Sequence, residues 1–202
     1  MLVTPLLDDP AGFARDVPAI LGTADVAAMV LRLRPADPPT LIDQAKAVAP
    51  AVQACGAALL LDGLPDLVVA AGADGAHLTG IAALQAAIGG LKPQHIAGAG
   101  GLRSRHDAML AGEAGADYVM FGEPDDRGRR PAAHAVVERI AWWAEVFQPP
   151  CVGFAGGLDE VAALAAAGAD FVALGEWVWS EADPAAVVAN AAKRLMRTEP
   201  AQ

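Results

Sequence analysis

Half of the 14 basic residues of the chain are arginines gathered at three places: Arg32 and Arg34, Arg103 and Arg105, then Arg127, Arg129 and Arg130. A guanidinium offers a planar fork of donors that matches phosphate or pyrophosphate oxygens, so the clusters predict a small phosphorylated ligand. Arg32 and Arg34 lie two residues apart, which puts both on one side of an extended segment. The competing use of these charges is solvated pairing with Asp107, Glu123, Asp125 and Asp126. Glycines gather at Gly98-Ala99-Gly100-Gly101, Gly156-Gly157 and Gly175. Their bare backbone N–H groups can meet an anion, or they can simply form tight turns. Asp62 and His77 are candidate acid–base or hydrogen-bonding groups at the ends of apolar runs. His95, His106 and His134 have no partners at metal-ligand spacing, and Cys55 and Cys151 stand alone, so zinc is not expected.

These residues need a scaffold that brings them to one face, and an internal echo supplies it. Ala71-Gly72-Ala73-Asp74, Ala114-Gly115-Ala116-Asp117 and Ala167-Gly168-Ala169-Asp170 each close an Ala-rich stretch and precede an apolar run. Each reads as a helix ending on a left-handed glycine, a short turn and a buried strand. Strands are predicted at Leu2–Leu6, Val26–Leu33, Ala57–Leu61, Gly75–Leu78, Gln94–Gly98, Asp117–Phe121, Cys151–Phe154 and Asp170–Leu174. Asp9-Pro10 and Asp183-Pro184 supply helix starts, and Val136, Ile140, Trp143 and Phe147 form a helical stripe. Alternating strands and helices predict an α/β fold, a single (β/α)8 TIM barrel over residues 1–202. An open sheet is the alternative. In a barrel the strand C-termini form the working rim, with phosphate often held after strands seven and eight, where Gly156, Gly157 and Gly175 fall. Trp142, Trp143, Trp177 and Trp179 would cover the helix shell or an interface such as that of a homodimer.

The formal charge of −10 opposes nucleic acid and anionic membrane surfaces as partners. The longest charge-free run, Gly75 to Leu91, is too short and too polar for a membrane span, and no secretory signal is expected. The two isolated thiols suit a reducing, cytoplasmic setting.

The segments Ala73–Leu78, Glu113–Gly122 and Gly156-Gly157-Leu158 through Asp170 resemble the thiamine phosphate synthase family, which includes a thiazole tautomerase relative. The resemblance implies a (β/α)8 barrel joining hydroxymethylpyrimidine pyrophosphate to a thiazole phosphate, with loss of pyrophosphate and Mg²⁺ as counter-charge. It assigns pyrophosphate binding to Arg32, with Arg34 at a family lysine, and metal binding to Asp62. Several positions depart from the pattern. Leu61 replaces an Asn beside Asp62, and Ala82 stands where a second metal ligand is expected. Gly101 replaces a Ser and Arg103 a His. Arg127-Gly128-Arg129-Arg130 replaces a Thr-x-Thr-Lys loop, and Glu176 replaces a Ser. A hard dication needs oxygen ligands that Leu61 and Ala82 cannot give. The expectation is therefore a synthase-like site with reduced or altered metal dependence, with Arg32, Arg34, Asp62, His77 and Arg103 in catalysis. Gly156, Gly157, Gly175, Arg127, Arg129 and Arg130 would hold phosphate. A catalytically degenerate phosphate-binding barrel, or a tautomerase-like enzyme, is the alternative.

Overall fold

The computed structural model describes residues 1–196. Eight parallel strands pair in chain order and close on themselves: β1 (Leu2–Leu7), β2 (Ala28–Leu33), β3 (Ala58–Asp62), β4 (Gly75–Thr79), β5 (Ile96–Gly100), β6 (Tyr118–Phe121), β7 (Cys151–Ala155) and β8 (Phe171–Leu174). Closure is made where Leu2 of β1 pairs with Leu174 of β8. The surrounding helices are α1 (Pro10–Leu21), α2 (Pro38–Gln53), α3 (Val68–Ala71), α4 (Ile81–Leu91), α5 (Arg105–Glu113), α6 (Ala133–Val146), α7 (Leu158–Ala166) and α8 (Pro184–Met196). The α/β barrel expected from the alternation is the fold, and the open sheet is ruled out. Among the described residues no helix is long and apolar enough to cross a membrane.

The strand pleat sorts side chains into two cores. Outward residues such as Met29, Leu31, Leu59 and Leu61 pack under the helices. Inward residues Val30, Leu60, Tyr118, Met120, Val152, Phe154 and Ala173 fill the barrel. Followed two residues onward, the same inward parity brings Arg32 on β2, Asp62 on β3 and both His77 and Thr79 on β4 to the mouth. The apolar interior thus ends where the polar residues begin.

The repeated Ala-Gly-Ala-Asp motif does two jobs at the opposite end. Gly72, Gly115 and Gly168 follow or cap helices with φ of 67°, 91° and 98°, a conformation that glycine adopts without steric penalty. The aspartates then tie neighbouring strands together. Asp74, Asp117 and Asp170 accept the backbone N–H of Leu59, Ala97 and Cys151, each at 2.8 Å. Each even strand is thereby pinned to the odd strand before it. The helix starts behave as expected, with Asp9 accepting from the Gly12 N–H and Asp183 from the Ala186 N–H. Trp143 of the predicted stripe is fully buried, stacked on Phe147.

One strand differs in a way that matters. β5 runs Ile96–Gly100 rather than Gln94–Gly98, so Gly100 extends the strand instead of opening a loop, and both Gly98 and Gly100 face into the barrel. Glycine is depleted in strands because it packs nothing, which is why the run reads as a loop. Here the missing side chains are what the interior requires. A Cβ on Gly98 would collide with the Tyr118 ring, and one on Gly100 with His77 and Glu123.

Candidate functional site

Over the strand C-termini lies a cavity of about 350 Å³, lined by Val3, Val30, Phe154 and a set of polar residues: Arg32, Asp62, His77, Thr79, Glu123, Asp125, Asp126 and Glu176. Its floor holds two polar sets side by side. Glu176 accepts from Arg32 at 2.8 Å, and the Arg32 Nε lies 3.4 Å from Asp62. His77 meets Glu123 through Nε2 at 2.9 Å and the Tyr118 hydroxyl through Nδ1 at 2.7 Å. The other Glu123 oxygen accepts the Gly101 N–H at 2.8 Å. Four strands and the turn after β6 converge to make this arrangement.

The charges respond to one another. Burial works against the His77 imidazolium, but the Glu123 carboxylate, its hydrogen bond and Asp62 outweigh that, raising the His77 pKa. Burial likewise opposes ionised Glu123, yet His77, the Gly101 N–H and Arg32 hold its pKa below the usual value. Both shifts favour the imidazolium–carboxylate form of the pair, in which both ring N–H groups donate, one to Glu123 and one to the Tyr118 oxygen. Burial, with the Glu123 and Asp62 charges, pushes the Tyr118 phenol well up, so it stays protonated. Burial also raises Asp62, against the pull of His77 and Arg32.

A second cavity of about 620 Å³ adjoins the first and shares Thr79, Glu123, Pro124, Asp125 and Asp126 with it. Its character is different, because Arg103, Arg129, Arg130 and Arg139 line it. Arg129 pairs with Asp125 at 2.7 Å, and Arg139 donates to the Leu102 carbonyl at 3.0 Å, bracing the turn after β5. No carboxylate pairs with the Arg103 guanidinium among the described residues, so its charge is available.

The expected site residues therefore separate. Arg32, Asp62 and His77 share the inner cavity, while Arg103, Arg129 and Arg130 line the outer one. Arg34, Arg127, Gly156, Gly157 and Gly175 line neither. Arg34 lies beyond the end of β2, where it pairs with the exposed Asp8. At the β7 turn the Gly156 N–H donates to Glu160 at 2.7 Å, and Arg130 grips the same carboxylate at 3.0 Å. Arg130 also donates to the Gly122 and Phe154 carbonyls. Three residues of the site went unread as functional: Tyr118, Glu123 and Arg139. Tyr118 is the only tyrosine of the chain, and its inward parity on β6 was legible. Glu123 follows Gly122 just past the end of β6, a rim position, although its nearness to loop arginines in sequence points first to a solvated pair.

The side chains present do not by themselves complete a site for Mg²⁺, an ion that is commonly held by one or two carboxylates together with a substrate's phosphates. Among the described residues no three His, Cys, Asp or Glu side chains surround a point that could hold a metal. Asp62 has Arg32 beside it, its neighbour Leu61 is buried in the outer core, and Ala82 brings no oxygen.

The family described as thiamine monophosphate synthase matches residues 1–178. Thiamine-phosphate synthase of Rhodospirillum centenum is 39% identical over 203 residues, covering 97% of this chain and 96% of that one. The enzyme of the same name from Hyphomonas neptunium is 34% identical, covering 93% and 89%. Among solved structures, thiamine phosphate pyrophosphorylase from Pyrococcus furiosus superposes with a TM-score of 0.79 at 21% identity, over 98% of this chain and 96% of that one. The 3-hexulose-6-phosphate synthase of Salmonella typhimurium gives 0.73 at 18% identity, over 98% and 99%. At those identities the structural likeness speaks for the barrel alone.

Proposed function

The chain belongs to the thiamine monophosphate synthase family, and on that premise we propose that it couples hydroxymethylpyrimidine pyrophosphate to a thiazole phosphate with reduced dependence on Mg²⁺. The observation that carries this reading is the joined pair of cavities at the strand C-termini, one suited to heterocycles and one lined by arginines. Ionising a pyrimidine-methyl pyrophosphate requires the leaving anion to be stabilised. Arg103, which no carboxylate pairs with among the described residues, would do so electrostatically, with Arg129 contributing through its pair with Asp125. Arg32 sets the inner end by holding Asp62 and Glu176 together at the cavity wall. Leu61 and Ala82 remove side-chain oxygens at two positions where the family pattern has them, which supports a larger share of the counter-charge falling on protein cations.

Coupling measured with purified protein across a Mg²⁺ titration tests the proposal. Turnover is expected to be slow and only weakly stimulated, and Arg32→Ala and Arg103→Ala should each lower it by about 10²–10³-fold, the usual cost of losing one positioned charge. Strictly Mg²⁺-dependent turnover would overturn the reduced metal dependence. A second reading, a binding barrel without turnover, is favoured by one observation: Arg32 already pairs with Asp62 and Glu176, which offsets its charge in the inner cavity. Binding of phosphorylated heterocycles with no product formed at any Mg²⁺ concentration would select it.

A further inference from the structure

The inner cavity is built for positive charge. Asp62, Glu123, Asp125, Asp126 and Glu176 line it against Arg32 and His77; Asp62 and Glu176 are confined to this lobe, where they pair with Arg32. An anionic group entering this lobe would meet net repulsion, whereas the outer lobe, with Arg103 and Arg139, attracts it. We propose that Glu123 is a specificity-determining carboxylate that receives a cationic nitrogen heterocycle in the inner lobe, while the phosphate carried by the same ligand rests among the arginines of the outer lobe.

Three observations support the assignment. Glu123 lines both cavities, at the boundary where a ligand with opposite charges at its two ends must cross. Its oxygens are fixed, one by His77 and one by the Gly101 N–H, and each retains a lone pair for a further partner. The geometry is also bought with conformational freedom elsewhere: Gly98 and Gly100 leave the space that Tyr118, His77 and Glu123 occupy. A mere structural salt bridge would not need to sit in an open cavity beside four further carboxylates. The inference rests on the coupling reading for its choice of ligand class, because joining a pyrimidine-methyl group to a thiazole nitrogen generates a cationic thiazolium bearing a phosphate. The cavity then favours the charge that appears as the reaction proceeds.

Calorimetric binding to the full chain tests this without turnover. The probes are thiamine, which has the azolium but no phosphate, a neutral isostere of thiamine, and inorganic phosphate. Wild-type protein should bind thiamine about tenfold or more tightly than the neutral isostere, and Glu123→Gln should erase that preference while leaving the affinity for inorganic phosphate in place. Arg103→Ala should do the reverse. Equal binding of thiamine and its neutral isostere by wild-type protein would overturn the proposal, and needs no variant to fold. So would a Glu123→Gln protein with a native melting profile and undiminished thiamine preference. Loss of coupling with the azolium preference intact would instead defeat the coupling reading and leave this one standing.

Discussion

Between β4 and β6 the barrel mouth encloses a buried polar set, whereas over β7 and β8 side chains take the space beside Gly156 and Gly175, and both regions depend on glycine. Gly98 and Gly100 give their space to Tyr118, His77 and Glu123, which stay beside an open cavity. Gly156 gives its space to Arg130, and Gly175 to the Phe154 ring, over which the Arg130 guanidinium lies at 5.4 Å. There the Glu160 carboxylate takes the Gly156 N–H and the arginine fork together. The lesson is that a glycine-rich rim is not in itself an anion site. What decides is which side chain enters the space that the glycine leaves.

Paired substitutions can break or sharpen this contrast. The largest effect is expected for Gly100→Ala, whose methyl group meets the fixed His77–Glu123 couple. Overpacking of that kind costs about 1–3 kcal/mol, and thiamine binding should be lost with it. Gly156→Ala should cost less, since the colliding atom is the far end of a flexible arginine. Urea denaturation of both variants measures the difference, and equal losses would mean that the two regions are equally rigid.

Tyr118→Phe comes next. It leaves the His77 Nδ1 without its partner in a buried setting, at about 1–2 kcal/mol. Glu160→Gln keeps an acceptor for Arg130 and the Gly156 N–H and lies in a pair whose side chains are 23% and 20% exposed, so its melting temperature should fall less.

The pH dependence separates the regions again. His77 has a folded pKa raised above its ordinary 6.5, so its contribution to stability is complete below that value and is lost as pH rises through the folded pKa. Glu123 is lowered from 4.5, so its contribution is present above that value and is lost as pH falls through its folded pKa. The couple therefore stabilises most between 4.5 and 6.5. In a series of melting curves, His77→Gln should flatten the alkaline decline of this window. An unchanged alkaline limb would show that the imidazolium is not the titrating partner.

The smallest effect is expected at Arg34. Its pair with Asp8 is exposed on both sides, 57% and 75%, where solvent and salt screen the attraction. Arg34→Ala should melt with the wild type, and a clear drop would show that the outer rim is more tightly tied than its exposure indicates.

Much of the scaffold was legible in the order of residues. Short apolar runs, left-handed glycines and Asp-Pro starts are local, and together they indicate the barrel and put Arg32, Asp62 and His77 at strand ends. The Ala-Gly-Ala-Asp echo was read as punctuation, while its aspartates proved to be clamps between strands, because that bond crosses from one unit to the next. The departure of the metal positions, Leu61 and Ala82, was also plain, since neither residue type can offer a side-chain oxygen. The sequence could not say whether an arginine would be free. Arg32 and Arg130 are taken by Glu176 and Glu160, 144 and 30 residues away, while Arg103 is left open. Nor could it show that glycines in β5 belong to a strand, or that Glu123 would be held against His77, 46 residues before it. Composition sets how many charges of each sign a chain carries. Barrel closure decides which of them meet, because a Coulomb interaction depends on distance and burial, and both come from strands that pair far apart in sequence.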